Sequence, residues 1–116
     1  AQTNTPTESG AIARLFEAAF DAETLPWQAE SLGGSSDHFP FDQAGIPVGG
    51  LFSGANERKS AAQASLFGGT AETPEDACYH LACDSASNID AALLEQMLRA
   101  AAWVTGSLAS GEVALH

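Results

Sequence analysis

The amino-acid sequence predicts an α/β fold, and three observations carry that expectation. Apolar residues recur at helical spacing over two long stretches, one near each end of the chain. Between them, Ile46-Pro47-Val48-Gly49-Gly50-Leu51-Phe52 is apolar almost throughout, as in a strand covered on both faces. Apolar residues make up 45% of the 116, with a mean hydropathy of −0.03, which places the chain among globular proteins.

The first helix is expected to start at Thr5-Pro6-Thr7-Glu8. Thr5 is the N-cap there, Pro6 takes the first helical position and Glu8 can close a capping box. Ile12, Leu15, Phe16, Ala19 and Phe20 then share one face, and Pro26 predicts an end near Glu23. Residues 27–37 read as a loop around Gly33-Gly34-Ser35-Ser36. A short helical stretch from Pro40 to Ala44, stopped by Gly45, precedes the apolar strand. The glycines of that strand suggest close approach of a backbone or ligand. Residues 53–77, rich in Gly, Ala, Ser and Thr, read as a long surface excursion, with one turn starting at Thr73-Pro74-Glu75-Asp76. The last helix is expected to be capped by Ser87, with Asp90 three residues on. Its stripe is Ile89, Leu93, Met97, Ala100, Ala101, Val104 and Leu108, and Gly111 marks its end.

The chain has room for one small domain, and with no internal repeat residues 1–116 are expected to form a single unit. The elements do not balance, however. Two long helices cannot cover a strand that is apolar on both faces, and such a strand needs neighbours for its backbone hydrogen bonds. The pattern is that of one end of a larger sheet protein.

Fifteen acidic residues stand against Arg14, Arg58, Lys59 and Arg99, giving a net charge of −11 and a pI near 4.2. Nucleic acid and anionic membrane surfaces are excluded as partners, because both need clustered cations. An acidic surface serves solubility, and also suits cations. No apolar run approaches the roughly 20 residues that span a bilayer, and Ala1-Gln2-Thr3 does not read as a signal peptide.

Chemistry concentrates in two segments. Cys78-Tyr79-His80-Leu81-Ala82-Cys83-Asp84 holds both cysteines, five apart. They are either bridged, which requires an oxidising compartment, or two free thiols. A structural zinc site wants four ligands and is disfavoured here. Closing so short a loop contributes only roughly 2 kcal/mol, so rigidity around Tyr79 and His80 is the better reason for a bridge. His80 is either a metal ligand or a hydrogen-bonded imidazole. The second segment, Ser36-Asp37-His38, sets a carboxylate beside an imidazole. The G-x-S-x-G elbow of a serine hydrolase is absent, and Asp37 with His38 reads better as a pair ordering the wall of a site.

Together, several strings resemble the C-terminal part of secreted bacterial di-zinc aminopeptidases. They are Gly34-Ser35-Ser36-Asp37-His38; Ala44-Gly45-Ile46-Pro47-Val48-Gly49-Gly50-Leu51-Phe52-Ser53-Gly54-Ala55; Lys59-Ser60-Ala61-Ala62-Gln63-Ala64; and Phe67-Gly68-Gly69-Thr70-Ala71. Cys78-Tyr79-His80, Cys83-Asp84 and Ser87-Asn88-Ile89 follow in the same order. The resemblance runs from about residue 9 to 110. It implies that the chain is the C-terminal part of an α/β/α sandwich around a mixed sheet that holds two zinc ions.

Residue by residue, the resemblance implies that His80 is a ligand of one zinc and that Tyr79 hydrogen-bonds the oxyanion. It implies that Gly34 and Phe52 line the pocket for the substrate's N-terminal side chain, and that Cys78 and Cys83 are bridged. The remaining zinc ligands and the general base, a glutamate, match nothing in this chain, so this segment alone is expected to be inactive. Relatives often carry arginine at the position of Ser35, which puts recognition of a peptide carboxylate in doubt. Where some relatives bind calcium through two acids, this chain has Glu95 and Arg99, which argues against that ion. The implied function is release of N-terminal, preferably hydrophobic, residues from peptides by a secreted enzyme, with the missing ligands supplied upstream or by another chain. The alternative is a non-catalytic fragment or binding module that keeps the pocket wall.

Overall fold

A computed structural model describes residues 7–113. The predicted cap at Thr5 and Pro6 lies outside the described residues. Among the described residues four α-helices form: α1 (Thr7–Ala22), α2 (Phe39–Gln43), α3 (Ala61–Phe67) and α4 (Ala91–Ala109), with a 3-10 turn at Ala86–Asn88. The chain divides into two compact units. The first holds residues up to Leu51 and those from Gln96 onward, and the second is Phe52–Glu95.

The expected α/β/α sandwich does not form. Among the described residues there is no strand and no sheet, only one isolated antiparallel bridge between Arg58 and Pro74. The segment Ile46–Phe52 carries the composition of a buried strand, but among the described residues no segment pairs with it. Its backbone is satisfied differently. The Val48 amide donates to the hydroxyl of Ser9 at 3.0 Å, inside the core, and Ser9 is itself buried. Gly49 brings its backbone against α1, where a Cβ would lie 3.0 Å from Ile12 Cβ and overlap Ile12 Cγ2. The close approach suggested by these glycines is therefore to a helix side chain.

In the first unit, α1 presents buried Ile12 with half-buried Leu15, Phe16, Ala19 and Phe20, as its periodicity requires. Its end is a Schellman arrangement: the Leu25 amide donates to Phe20 O and the Thr24 amide to Asp21 O, with Thr24 at φ 56°. The Trp27 indole then donates to Asp21 at 2.8 Å, tying the exiting chain to the helix. Helix α2 stops in the same way. The Ile46 amide reaches Phe41 O and the Gly45 amide reaches Asp42 O, with Gly45 at φ 74°. Ala100 and Val104 of α4 complete a small core with Ile12 and Val48.

Helix α4 starts three residues later than its predicted cap. Asp90 Oδ1 accepts the amides of Ala92 and Leu93, both at 3.0 Å, while Ser87 sits in the 3-10 turn and pairs with the Ser85 hydroxyl. Of the predicted stripe, Ala100 and Val104 are buried, whereas Ile89 is 57% exposed and belongs to no helix.

The second unit contains a helix where a structureless excursion was expected. Ser60 and Gln63 form a complete capping box: Ser60 Oγ accepts the Gln63 amide at 3.1 Å and Gln63 Oε1 accepts the Ser60 amide at 2.8 Å. Residues 55–59 and 72–76 run side by side through four backbone hydrogen bonds, Asp76 to Ala55, Glu75 to Glu57, Glu72 to Lys59 and Lys59 to Thr73. Pro74 stands opposite Arg58 without an N–H to offer, which limits the pairing to a bridge. Thr73 accordingly caps no helical turn, and its hydroxyl donates to Thr70 O.

Candidate active site

The predicted site residues fall in different units and are described within them. Gly34, Asp37 and His38 belong to the first, and Phe52, Cys78, Tyr79, His80 and Cys83 to the second.

In the second unit, the paired segments deliver the chain at Asp76, from which the cysteine loop begins. Cys78 and Cys83 are disulfide-bonded, with Cα atoms 5.3 Å apart. Inside the loop the Leu81 amide donates to Cys78 O and the Asp84 amide to Leu81 O, giving two successive tight turns. His80 stands at φ 56°, a left-handed conformation that a residue with a Cβ seldom adopts. The turn sets the Tyr79 and His80 rings together, their centroids 4.1 Å apart and their planes inclined at 51°. Both residues are exposed, as is Phe52. A phenol O–H and an imidazole thus stand together on a covalently closed turn.

Asp76 anchors the loop from outside. Its Oδ1 accepts the Cys78 amide at 2.9 Å and the Asn88 carboxamide at 3.1 Å, and Asn88 Nδ2 also donates to Asp84 Oδ1 at 3.2 Å. The Asn88 carboxamide, and then the Cys78 amide, hold the Asp76 carboxyl below its ordinary range, since both bonds favour the charged form.

In the first unit, His38 Nε2 pairs with Gly33 O at 3.0 Å, fastening the glycine turn to the start of α2, and Asp37 accepts from Ser36. Asp37 and His38 each hydrogen-bond to a chain neighbour and not to one another. Gly34 faces the Phe39 ring, which a Cβ would approach to 3.1 Å. A cavity of about 300 Å³ lies between α1, α2, the Val48 segment and α4, lined by Ile12, Phe16, Phe41, Val48, Val104 and Leu108. Gly34 does not line it.

The donor set fits zinc in part. An exposed imidazole can serve as one ligand, but among the described residues no group of three or more His, Cys, Asp or Glu could hold a metal ion. Sequence reasoning missed Asp76 and Asn88 as parts of the site. The signal was available for Asp76, because an Asp two residues before a loop residue favours an Asx turn onto its amide. Asn88, twelve residues on, had none.

A model of peptidase family M28 matches residues 2–105. The chain belongs to peptidase family M28. Among its relatives, leupeptin-inactivating enzyme 1 of Streptomyces exfoliatus is 45% identical over 101 residues, which is 86% of this chain and 23% of that protein. An aminopeptidase of Pseudomonas aeruginosa (strain UCBPP-PA14) is 42% identical over 103 residues, 89% of this chain and 19% of that protein. Leucine aminopeptidase 2 of Arthroderma otae is 39% identical over 105 residues, 90% of this chain and 21% of that protein. The chain therefore spans about a fifth of the length of the curated M28 relatives it matches. No helix among the described residues of this M28 chain is long and apolar enough to cross a membrane.

Proposed function

We propose that this chain is a segment of a secreted zinc aminopeptidase that releases N-terminal, preferably hydrophobic, residues from peptides. The observation that carries the reading is the Tyr79–His80 pair, fixed on a disulfide-closed turn in a chain of peptidase family M28. His80 is one zinc ligand of a two-ion site, and its neutral imidazole is the form that binds metal. Bound zinc supplies Lewis acidity toward the scissile carbonyl. The Tyr79 hydroxyl donates to the carbonyl oxygen as charge develops there, a contribution of about 3–4 kcal/mol for a well-placed donor. Within the second unit, exposed Phe52 offers an apolar wall for the substrate's N-terminal side chain. The disulfide suits an oxidising, extracellular setting.

The other ligands and the general base come from an upstream segment or another chain, a reading supported by the lack of any group of three or more His, Cys, Asp or Glu among the described residues that could hold a metal ion. The surface supports such a partner. Among the described residues, five apolar residues are buried, while thirteen large apolar or aromatic side chains are exposed, Leu94 and Leu98 on one face of α4 among them. A helix apolar on more than one face is made to be covered.

The test is His80→Ala in the complete protein, read by metal analysis and by turnover of a leucine-terminated chromogenic peptide. Loss of about one zinc per molecule, with turnover down at least roughly 100-fold, is the expected result. Unchanged zinc content and turnover refutes the role given to His80, whereas a parent protein that binds no zinc and turns over no peptide supports the alternative, a non-catalytic fragment or binding module that keeps the pocket wall.

A further inference from the structure

The loop bearing Tyr79 and His80 is closed twice. The Cys78–Cys83 disulfide closes it from within. From outside, the Asp76 carboxylate holds the Cys78 amide at the loop's entrance, and Asn88 joins that carboxylate to Asp84 at the exit, with bonds of 2.9, 3.1 and 3.2 Å. The two closures do different things. A disulfide sets the span of the loop but leaves it able to pivot about its two ends. The Asp76–Asn88–Asp84 bracket ties each end to the flanking chain and so sets its direction. That matters at His80, whose φ of 56° persists only where its surroundings over-determine it.

We infer that Asp76 and Asn88 are positioning residues for the Tyr79–His80 turn, holding the imidazole in the direction from which it meets a metal. The inference rests on the reading of His80 as a zinc ligand. Neither residue is placed against substrate or metal, and both act through the backbone they fix. The bracket has a distinctive chemistry. Asp76 Oδ1 accepts both of its bonds, so an asparagine at 76 can reproduce them with its carbonyl oxygen, whereas alanine cannot. Asn88 must donate to two carboxylates, so an aspartate at 88 sets three carboxylates together with no donor among them.

The experiment compares Asp76→Ala, Asp76→Asn, Asn88→Ala and Asn88→Asp with His80→Ala in the complete protein. Zinc affinity is titrated against a chelator, folding is followed by circular dichroism, and hydrogen exchange at the Cys78 amide is followed in the metal-free protein. Asp76→Ala and Asn88→Ala are expected to weaken zinc binding about tenfold or more while folding is retained, the size of effect typical for groups that orient a ligand. Asn88→Asp is expected to weaken it at least as much, and Asp76→Asn to stay within about threefold of the parent. Exchange at Cys78 rises about tenfold in Asp76→Ala and not in Asp76→Asn, because only the former loses the acceptor. If His80→Ala weakens zinc binding while Asp76→Ala and Asn88→Ala leave both affinity and exchange unchanged, the inference fails alone. If His80→Ala itself has no effect, the ligand reading fails and takes the inference with it. Should Asp76→Ala not fold, Asn88→Ala and Asp76→Asn decide: wild-type affinity in the first, or tenfold weakening in the second, overturns the bracket.

Discussion

Gly49→Ala tests whether the apolar segment Ile46–Phe52 is packed against a helix, as the structure has it, or belongs to a ladder. A methyl group at Gly49 would lie 3.0 Å from Ile12 Cβ and overlap Ile12 Cγ2. Ile12 is only 8% exposed and Val48, beside the glycine, is likewise buried, so neither side can give way freely. Overpacking of this kind costs about 1–3 kcal/mol. Ile12→Ala alone creates a cavity and costs about 2–5 kcal/mol. With Ile12 truncated, the overlapping Cγ2 is gone and only the close 3.0 Å approach to Cβ of position 12 remains. Gly49 is not among the positive-φ residues, so an alanine there then costs much less than it does in the parent. The two substitutions should therefore couple by about 1–3 kcal/mol, the double variant being more stable than the sum of the singles predicts. The assay is urea unfolding followed by tryptophan fluorescence, since Trp27 and Trp103, the two tryptophans, both lie in the first unit. With a urea slope of about 2 kcal/mol per molar, a 2 kcal/mol loss moves the midpoint by about 1 M. A Gly49→Ala midpoint within about 0.2 M of the parent, or strict additivity with Ile12→Ala, refutes the packing argument.

Ser60→Ala removes one half of the α3 capping box and should cost about 0.5–2 kcal/mol locally, read as faster exchange of the Gln63 and Ala64 amides; unchanged exchange would show that α3 is held by other means. The bracket around Asp76 should weaken in acid. Its folded pKa lies below the ordinary 3.8, so its stabilisation is complete above that value and is lost as pH falls through 3.8 toward the folded value. Exchange at the Cys78 amide, corrected for its intrinsic pH dependence, should rise over that window in the parent and show no such step in Asp76→Asn.

What could be read from the sequence was mostly local. Glycine at 45 stopped α2, the apolar spacing from Ile12 to Phe20 set the face of α1, and the Ser87–Asp90 neighbourhood marked the start of α4, because each depends on contacts within a few residues. Even there, competition between neighbours decided the details. Asp90 displaced Ser87 as the cap because its carboxylate accepts two amides of the first turn at once. The Ser60-Ala61-Ala62-Gln63 box has the spacing of a cap but lies in a stretch of small residues that reads as a loop, and it caps α3. The sheet was the largest error. Apolar composition overstates the burial of Ile46–Phe52: Val48 is buried and hydrogen-bonds Ser9, Gly49 meets Ile12, and Ile46 and Phe52 stand exposed. In the candidate site, the adjacent Cys78, Tyr79 and His80 were legible as a group. Asn88 was not, since its contact with Asp76 spans twelve residues.

The second unit also explains why its loop needs so many polar fastenings. Ala55 is the one apolar residue it buries among the described residues, so burial at about 25 cal/mol per Å² contributes little to its order. Short-range closures replace it: the disulfide, the Asp76–Asn88–Asp84 bracket, four backbone bonds between 55–59 and 72–76, the Lys59 ammonium on Gly68 O at 3.0 Å and the Arg58 guanidinium on Glu72 O. Such fastenings are individually worth about 1 kcal/mol and act in specified directions, whereas apolar burial is non-directional. The turn carries an imidazole and a phenol outward and is held by burying neither ring. Its ends are fixed while its apex stays exposed, and the positive φ of His80 is the place where that constraint shows in the backbone.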